Sequence, residues 1–181
     1  ILLIGSTGQL GKAIINSKPT DVKLLTPNKS ELNLTLNDLC VEYIIKNRPH
    51  WIINSGAYTN VDKAEIEEDI AYEINANGPS CIAKAILKTG SKLLHISTDY
   101  VFDGQQNIPY EPNQKVSPIN TYGLSKAKGE EYLVKMIKKD NQLSILRTSW
   151  LMSRNGNNFA TKLLKLHEER ATINVVYDQV G

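Results

Sequence analysis

The chain has 181 residues with 41% apolar content, which fits one domain able to bury roughly 70% of its unfolded surface. Its 21 Lys+Arg against 19 Asp+Glu leave a formal charge of +2, too even to indicate nucleic acid or an anionic membrane as a partner. No apolar run approaches the roughly 20 residues that span a bilayer, and no signal-peptide pattern opens the chain. Cys40 and Cys81 are isolated, as is typical of a reducing compartment. We therefore expect a globular, cytoplasmic protein.

Short β-branched or leucine-rich runs alternate along the chain with stretches of helical periodicity. The runs predict six buried strands, at residues 1–4, 22–25, 51–53, 92–96, 143–146 and 173–176. The stretches between them predict helices at residues 9–17, 36–46, 68–88, 124–138 and 159–168. This alternation predicts an α/β fold, a doubly wound parallel sheet of the Rossmann type. The irregular stretch 103–120 is long for a compact domain and predicts a lid or a substrate wall.

The chain starts within the first predicted strand and stops soon after the sixth. In an open α/β sheet the ligand crevice lies at the carboxyl ends of the strands, and further structure closes it from above. We therefore expect residues 1–181 to form one dinucleotide-binding domain that lacks most of a smaller C-terminal substrate domain.

A glycine-rich loop follows the first predicted strand and opens the first predicted helix. Gly5, Gly8 and Gly11 form its GxxGxxG pattern. Glycine permits a tight turn and lets backbone N–H groups approach a pyrophosphate at the positive end of a helix. Such glycines also serve close packing alone, but their place between strand and helix favours a dinucleotide-binding loop.

The segments at the ends of the second and third predicted strands bear on which cofactor binds and how. Residues 25–29 hold no acidic residue that would bind a ribose 2′-hydroxyl, and Glu31 comes too late to replace one. Lys29 favours a 2′-phosphate and hence NADP over NAD, although a single loop lysine is also compatible with simple solvation. Residues 54–57 are small and either admit the cofactor backbone or merely pack the end of a strand.

Tyr122 and Lys126 are four residues apart in a predicted helix, which places both side chains on one face. An ammonium one turn away should lower the pKa of the phenol, near ~10 in isolation, and make it a usable acid. The spacing also arises by chance in exposed helices. Thr98, however, follows the fourth predicted strand, at the edge where the crevice should be. Asp99 beside it is either a second proton donor or a brace.

These motifs resemble those of the extended short-chain dehydrogenase/reductase superfamily and, within it, the dTDP-4-dehydrorhamnose reductase family. The resemblance implies reduction of the C4 ketone of a dTDP-linked 4-dehydro-L-rhamnose, with NADP(H) or NAD(H) as cofactor. The matching segments are GSTGQLG (5–11), AYTNVDKAE (57–65), NANGP (75–79), STDYVFDG (97–104), PINTYGLSKAKGE (118–130), RTSW (147–150), GNNFA (156–160) and DQVG (178–181).

The resemblance also implies roles for individual residues. The catalytic triad is Thr98, Tyr122 and Lys126, of which the last two also contact the cofactor. The remaining cofactor residues are Gly5, Gly8, Gln9, Leu10, Gly11, Asn33, Leu34, Ser55, Gly56, Ala57 and Tyr58. The sugar residues are Thr59, Val61, Thr98, Asp99 and Trp150. Trp150 also suits core packing. Residues 32–35 read Leu-Asn-Leu-Thr where many relatives have L-D-x-T, which leaves the adenine contact open.

Two other functions stay open on the sequence alone. A nucleotide-sugar dehydratase or epimerase shares the fold, but a dehydratase normally carries an Asp-Glu pair after the threonine, and here Tyr100 follows Asp99. A non-catalytic partner similar to the regulatory subunit of methionine adenosyltransferase is the other alternative, and the intact triad argues against it. The sequence is also compatible with a homodimer.

The remaining polar residues favour structural roles. His50, His95 and His167 lack metal-ligand spacing, so we expect no metal site. The acidic run 65–69 is expected to open a helix, where negative charge meets the helix dipole.

Overall fold

The computed structural model describes residues 1–153, 156 and 158–176. In these residues four parallel strands form one sheet in the order β1-β2-β3-β4. Leu2, Ile52, Leu93 and Leu143 occupy one row across it. The strands are β1 (Leu2–Ile4), β2 (Trp51–Asn54), β3 (Lys92–Thr98) and β4 (Leu143–Thr148).

Helices connect the strands, as the alternating pattern predicts. Their boundaries are α1 (Gln9–Ser17), α2 (Asn37–Asn47), α3 (Val61–Ala64), α4 (Glu68–Tyr72), α5 (Gly78–Thr89), α6 (Thr121–Met136) and α7 (Phe159–Glu169). The helix predicted at 68–88 is interrupted, because a π-helical turn at Glu73–Asn77 separates α4 from α5. A 3-10 turn at Asp99–Val101 follows β3. No helix of the described residues is long and apolar enough to cross a membrane.

The strand predicted at 22–25 reduces to a single bridge between Leu25 and Leu2. The Leu25 N–H donates to the carbonyl of Ile1 at 2.8 Å, and the Leu3 N–H donates to the carbonyl of Leu25 at 2.9 Å. The next donor in such a ladder would be the N–H of residue 27, which is a proline and has none. The extended segment therefore lies beside β1 without continuing as a strand.

The strand predicted at 173–176 is wrong. Within the described residues this segment joins no ladder, and Val175 and Val176 are 50% and 65% exposed. A short β-branched run becomes a strand only where a neighbouring segment accepts and donates its backbone hydrogen bonds.

The main core fills the space between the sheet and the helices α2, α5 and α6. Leu2, Ile52 and Leu93 contribute from three strands, and all three are fully buried. The helices contribute Cys40, Ile44, Ile82, Ile86 and Leu133. This packing fixes α6 against the sheet and so determines where its first turns lie.

Strand β1 lies where the direction of winding reverses, because Leu25 bridges one edge of β1 and β2 pairs with the other. In doubly wound sheets this switch point opens a crevice at the carboxyl ends of the strands. The fold therefore predicts the ligand site beside the residues that follow β1 and β2.

Candidate active site

A cavity of about 570 Å³ opens at the carboxyl ends of the four strands. It brings together fifteen of the residues that the sequence singles out. They are Gly5, Gly8, Gln9, Leu10, Gly11, Ser55, Gly56, Ala57, Thr59, Val61, Thr98, Asp99, Tyr122, Lys126 and Trp150. The glycine loop and the triad thus face the same space.

The glycine loop is shaped by close backbone contacts. Gly5 has φ +82°, and a Cβ there would lie 2.6 Å from the backbone nitrogen of Gly56. A Cβ on Gly11 would lie 2.2 Å from the carbonyl oxygen of Gly5. Side chains are excluded at both positions, so the loop turns tightly into α1, whose N-terminal end lines the cavity. This end is the positive end of the helix and suits a phosphate group.

The side chain of Gln9 ties the glycine loop to the segment after β4. Its amide Nε2 donates to the carbonyl of Leu151 at 2.8 Å, and Asn158 Nδ2 donates to its Oε1 at 3.0 Å. In the same segment Trp150 has φ +51°, a left-handed conformation uncommon for a bulky residue. Its ring lies 5.3 Å from that of Phe159 and is 47% exposed at the cavity, so core packing does not explain it.

A second cavity of about 200 Å³ lies beside the first and contains the predicted adenine residues Asn33 and Leu34. Asn33 Oδ1 accepts from the N–H and the hydroxyl of Thr35, at 3.0 and 2.9 Å, so that oxygen shapes its own turn. Lys29 is the one charged residue among the described residues that line this cavity. Glu31 instead accepts from the N–H of Asn28.

Tyr58 is the predicted cofactor residue that the structure does not bring to either cavity. Its hydroxyl donates to Glu67 Oε2 at 2.5 Å, and that hydrogen bond is the main reason why its pKa rises to about 12. Its N–H donates to Asn75 Oδ1 at 2.9 Å. The side chain therefore anchors the loop after β2 and turns away from the crevice.

Thr98 ends β3 and is 5% exposed. Its hydroxyl donates to Asp99 Oδ1 at 2.9 Å and accepts from the N–H of Tyr100. This contact favours the brace over the second proton donor as the role of Asp99. The ring of Tyr100 packs edge-on against that of Tyr122, with 5.5 Å between centroids.

The first turn of α6 presents Tyr122 and is capped twice. Asn120 Oδ1 accepts from the N–H of Gly123 at 2.7 Å, as an N-cap residue does. The Glu65 carboxylate accepts from both the N–H and the hydroxyl of Thr121, at 2.8 and 2.9 Å. Glu65 thus caps a helix distant in sequence, whereas Glu68 and Asp69 open α4 as expected for the acidic run.

Lys126 is 2% exposed, and its Nζ donates to the carbonyl of Ile96 at 2.7 Å. Burial lowers its pKa to about 8, while the negative charge of Glu130 acts in the opposite direction. Burial raises the pKa of Tyr122, and a hydrogen bond with Thr98 only partly offsets the rise. The expected lowering of the Tyr122 pKa by Lys126 is therefore not found in this structure, because burial dominates and the nearby Asp99 and Tyr100 raise the pKa further. At neutral pH Tyr122 keeps its proton and most Lys126 is an ammonium.

Several lining residues were missed by the sequence reasoning, namely Thr7, Ile96, Ser97, Tyr100, Thr148, Ser149, Leu151 and Gly156 in the larger cavity. Thr148 and Ser149 carried a usable signal, because Thr148 ends β4 and Ser149 follows it, at the same edge of the sheet as Thr98. The other residues reach the cavity only because of the way the chain folds back, and their spacing in the sequence does not indicate this.

The cysteines and histidines do not line either cavity. Burial raises the pKa of the Cys40 thiol to about 12 and also raises that of Cys81. His50 and His167 are exposed, whereas His95 is buried beneath the cavity, with Nδ1 3.1 Å from Asn54 Nδ2. Among the described residues no three His, Cys, Asp or Glu side chains cluster as metal ligands would.

Fold and cavity together define a Rossmann-type α/β domain with Thr98, Tyr122 and Lys126 at its crevice. The family model described as the RmlD substrate binding domain matches residues 1–181, and the chain belongs to that family. This membership confirms the family resemblance seen in the sequence.

The chain is 39% identical over 183 residues to the dTDP-4-dehydrorhamnose reductase of Aggregatibacter actinomycetemcomitans, and 40% identical over 192 residues to that of Salmonella typhimurium. Each comparison covers 100% of this chain and 61% of the relative. A crystal structure of dTDP-4-dehydrorhamnose reductase from Bacillus anthracis in complex with NADP superposes with a TM-score of 0.92 at 40% identity. That match covers 98% of this chain and 63% of the other. The predicted doubly wound fold is thereby confirmed.

Proposed function

We propose that the protein reduces the C4 ketone of dTDP-4-dehydro-L-rhamnose to the alcohol, giving dTDP-L-rhamnose, with NADPH or NADH as the reductant. The observation that carries this proposal is a single cavity lined both by the glycine loop and by Thr98, Tyr122 and Lys126, of which Thr98 and Lys126 are buried. The similarity of the whole chain to reductases of that name supports the choice of substrate.

The described residues fit a dinucleotide. The glycine loop forms a cradle that a Cβ on Gly5 or Gly11 would fill, and the N-terminal end of α1 opens into the cavity. The neighbouring cavity is lined by Lys29 and by no acidic residue in the described part of the chain, which favours a 2′-phosphate. NADP in the Bacillus anthracis relative supports the same preference. When bound, the nicotinamide supplies the hydride that adds to C4.

Tyr122 is the proton donor of this proposal. As C4 gains a hydride, the electron pair of the C=O bond moves to the oxygen, which takes the phenolic proton. The raised pKa of Tyr122 keeps that proton in place at neutral pH. The phenolate left behind recovers its proton from solvent after turnover.

Thr98 and Lys126 support the transfer. On substrate binding, the Thr98 hydroxyl redirects its one proton from Asp99 Oδ1 to the carbonyl oxygen and so orients that oxygen toward Tyr122. The Lys126 ammonium offsets the charge that develops on the phenol and also holds the ribose of the cofactor. Because Lys126 is anchored on the Ile96 carbonyl, it stays in place while the substrate enters and leaves.

The chain spans about 61% of the length of its curated relatives, so the activity is proposed for the whole protein. We assign the cofactor and the triad to residues 1–181, and we propose that a smaller C-terminal domain supplies most contacts to the sugar nucleotide. Thr59, Val61 and Trp150 line the cavity and are the sugar contacts proposed within this chain. We place the reaction in the cytoplasm. It requires neither nucleic acid nor a membrane, and it is compatible with either a monomer or a homodimer.

An assay of NADPH consumption by the full-length protein tests the proposal. The substrates are dTDP-4-dehydro-L-rhamnose, UDP-glucose for an epimerase and dTDP-glucose for a dehydratase. We expect one NADPH consumed per molecule of the 4-dehydro sugar, and no conversion of the other two. Turnover of UDP-glucose or dTDP-glucose without NADPH consumption would favour the alternative enzymes, and binding without any turnover would favour a non-catalytic partner.

A further inference from the structure

A buried ion pair lies directly behind the cavity. The Glu130 side chain is held by three donor atoms, namely Ser97 Oγ at 2.5 Å and Nε and Nη2 of Arg147 at 2.6 to 3.2 Å. Glu130 is 5% exposed, and the guanidinium lies 5.0 Å from the centroid of the Phe102 ring. Arg147 Nη1 also donates to the carbonyl of Pro112 at 3.0 Å.

Each member of this Ser97–Glu130–Arg147 cluster is adjacent to a cavity residue. Ser97 precedes Thr98 on β3, Arg147 precedes Thr148 on β4, and Glu130 lies one turn after Lys126 on α6. The cluster therefore joins the three elements that carry the triad side of the cavity. Breaking a buried pair is strongly destabilising, whereas replacing it with apolar groups is often neutral, so stability alone is a weak reason for its presence.

We propose that the Ser97–Glu130–Arg147 cluster is a positioning device for the proposed reaction, in which Ser97 and Arg147 fix the buried Glu130 carboxylate one helical turn from the buried Lys126. The inference rests on the proposed function. Glu130 acts through Lys126 and reaches no substrate, so it is a positioning residue. The charge of Glu130 raises the pKa of Lys126 against the effect of burial.

Other groups near Lys126 do not replace this charge. His95 on β3 is held neutral, because burial and the charge of Lys126 itself keep its pKa well below the usual range. Tyr122 keeps its proton, and Asp99 on the 3-10 turn is engaged with Thr98. On the π-helical turn, Glu73 accepts from Asn37 and Asn77. The charged residues of α3, α4 and α5 are exposed, namely Asp62, Lys63, Glu68, Asp69, Lys84 and Lys88.

The test compares the pH dependence of kcat/KM in the full-length protein and three variants. In Glu130→Gln the charge is lost but an amide of the same shape remains, so the pKa of Lys126 should fall. The alkaline limb of the profile should then move to lower pH by about one unit. Glu130→Asp keeps the charge and should hold the limb near its wild-type position even where kcat falls. Glu131→Gln is the matched control one residue along, because Glu131 pairs with Lys128 and Lys135 on the surface.

Two results would overturn the proposal. One is a Glu130→Gln protein that folds, loses rate and keeps the wild-type limb, since a purely structural role predicts that behaviour. The other is an equal shift in Glu130→Gln and Glu130→Asp, since packing rather than charge would then cause it. If Glu130→Gln does not fold, a shift of a unit in Glu130→Asp is sufficient to reject the proposal, and an unshifted limb supports it.

A second readout separates this inference from the proposed function. The dissociation constant of NADPH, followed by fluorescence against pH, reports the charge of Lys126 without turnover. If no nucleotide sugar is reduced, the proposed function fails, while the Kd profiles of the same variants still test the cluster. We expect weakening of NADPH binding to begin at lower pH in Glu130→Gln than in Glu131→Gln, and coincident profiles would contradict the proposal.

Discussion

One side of the large cavity is formed by backbone atoms and the other by side chains. On the glycine-loop side, contact distances of 2.2 to 2.6 Å exclude a Cβ, and backbone atoms shape the surface. On the triad side the surface consists of side chains, and Thr98 and Lys126 are 5% and 2% exposed. One side depends on the absence of side chains and the other on their burial.

The two sides should therefore respond differently to pH. Backbone N–H groups do not titrate, so the glycine loop should hold a phosphate equally well across neutral pH. Burial has moved the pKa of Tyr122 upward and that of Lys126 down to about 8, so the triad side responds to pH. Substitutions on the glycine side should therefore weaken cofactor binding at every pH, whereas those on the triad side should affect the rate and the pH dependence of binding.

Tyr122→Phe should have the largest effect on rate. The variant removes the proton donor but keeps the ring that packs against Tyr100, so kcat should fall on the order of 10²–10⁴-fold with NADPH affinity retained. Steady-state assays and a fluorescence titration check both parts. Tyr132→Phe makes the same change on the same helix beside Lys128 and should keep the rate. A Tyr122→Phe enzyme with most of its rate would exclude Tyr122 as the donor.

Gly11→Ala should have the largest effect on cofactor binding. Its new Cβ would lie 2.2 Å from the Gly5 carbonyl oxygen, and backbone atoms must shift to admit it. Overpacking of this kind costs ~1–3 kcal/mol, so we expect NADPH to bind roughly tenfold to a hundredfold more weakly. A Cβ on Gly8 would lie 3.4 Å from the same oxygen, which is an ordinary contact. The Gly8→Ala variant should therefore lose much less affinity for NADPH than Gly11→Ala. Equal losses in calorimetric titrations of the two variants would refute this account of the loop.

The pH dependence of kcat/KM in the wild-type protein should already show that the triad side titrates. Lys126 has a pKa lowered to about 8, so its ammonium is present below that pH and is lost as the pH rises through it. Because the pKa of Tyr122 is raised, the phenol still holds its proton there. We expect kcat/KM to fall about tenfold per pH unit above the Lys126 pKa. A flat profile to pH 10 would show that Lys126 charge is not required.

Lys29→Ala should have the smallest effect. Lys29 is exposed beside the smaller cavity, and an exposed ion pair contributes ~0.2–1 kcal/mol, so NADPH affinity should fall by no more than about fivefold. NADH, which lacks the 2′-phosphate, should bind equally well to the wild-type protein and to Lys29→Ala. The ratio of kcat/KM for the two cofactors at one ionic strength measures this effect. A parallel loss for both cofactors would show that Lys29 does not contact a 2′-phosphate.

The fold was predictable where hydrophobic pattern and turn residues agree. All four strands of the sheet follow from β-branched and leucine-rich runs, and Gly5, Gly8 and Gly11 follow from spacing. Residues 22–25 lie beside β1, but Pro27 ends the ladder after one bridge, and residues 173–176 have no partner segment among the described residues.

The triad was predictable as a set of positions but not as a set of pKa values. The spacing of Tyr122 and Lys126 shows that they share a helix face, yet the direction of the Tyr122 shift depends on how deeply α6 is buried. The pairing of Glu130 with Arg147 joins residues from α6 and β4, and nothing in their sequence spacing indicates it. Tyr58 matched a family segment, but its contact with Glu67 directs it elsewhere.

The fate of the transferred hydrogen shows whether the protein moves a hydride from NADPH to C4 of the sugar. NADPH carrying deuterium at the reactive C4 position of its nicotinamide is incubated with the full-length protein and dTDP-4-dehydro-L-rhamnose, and the product is analysed by NMR. The account predicts dTDP-L-rhamnose with deuterium at C4 of the sugar and a solvent-exchangeable hydrogen on its oxygen. A product without deuterium at C4, or a 4-dehydro sugar recovered unchanged while NADPH stays bound, would contradict it.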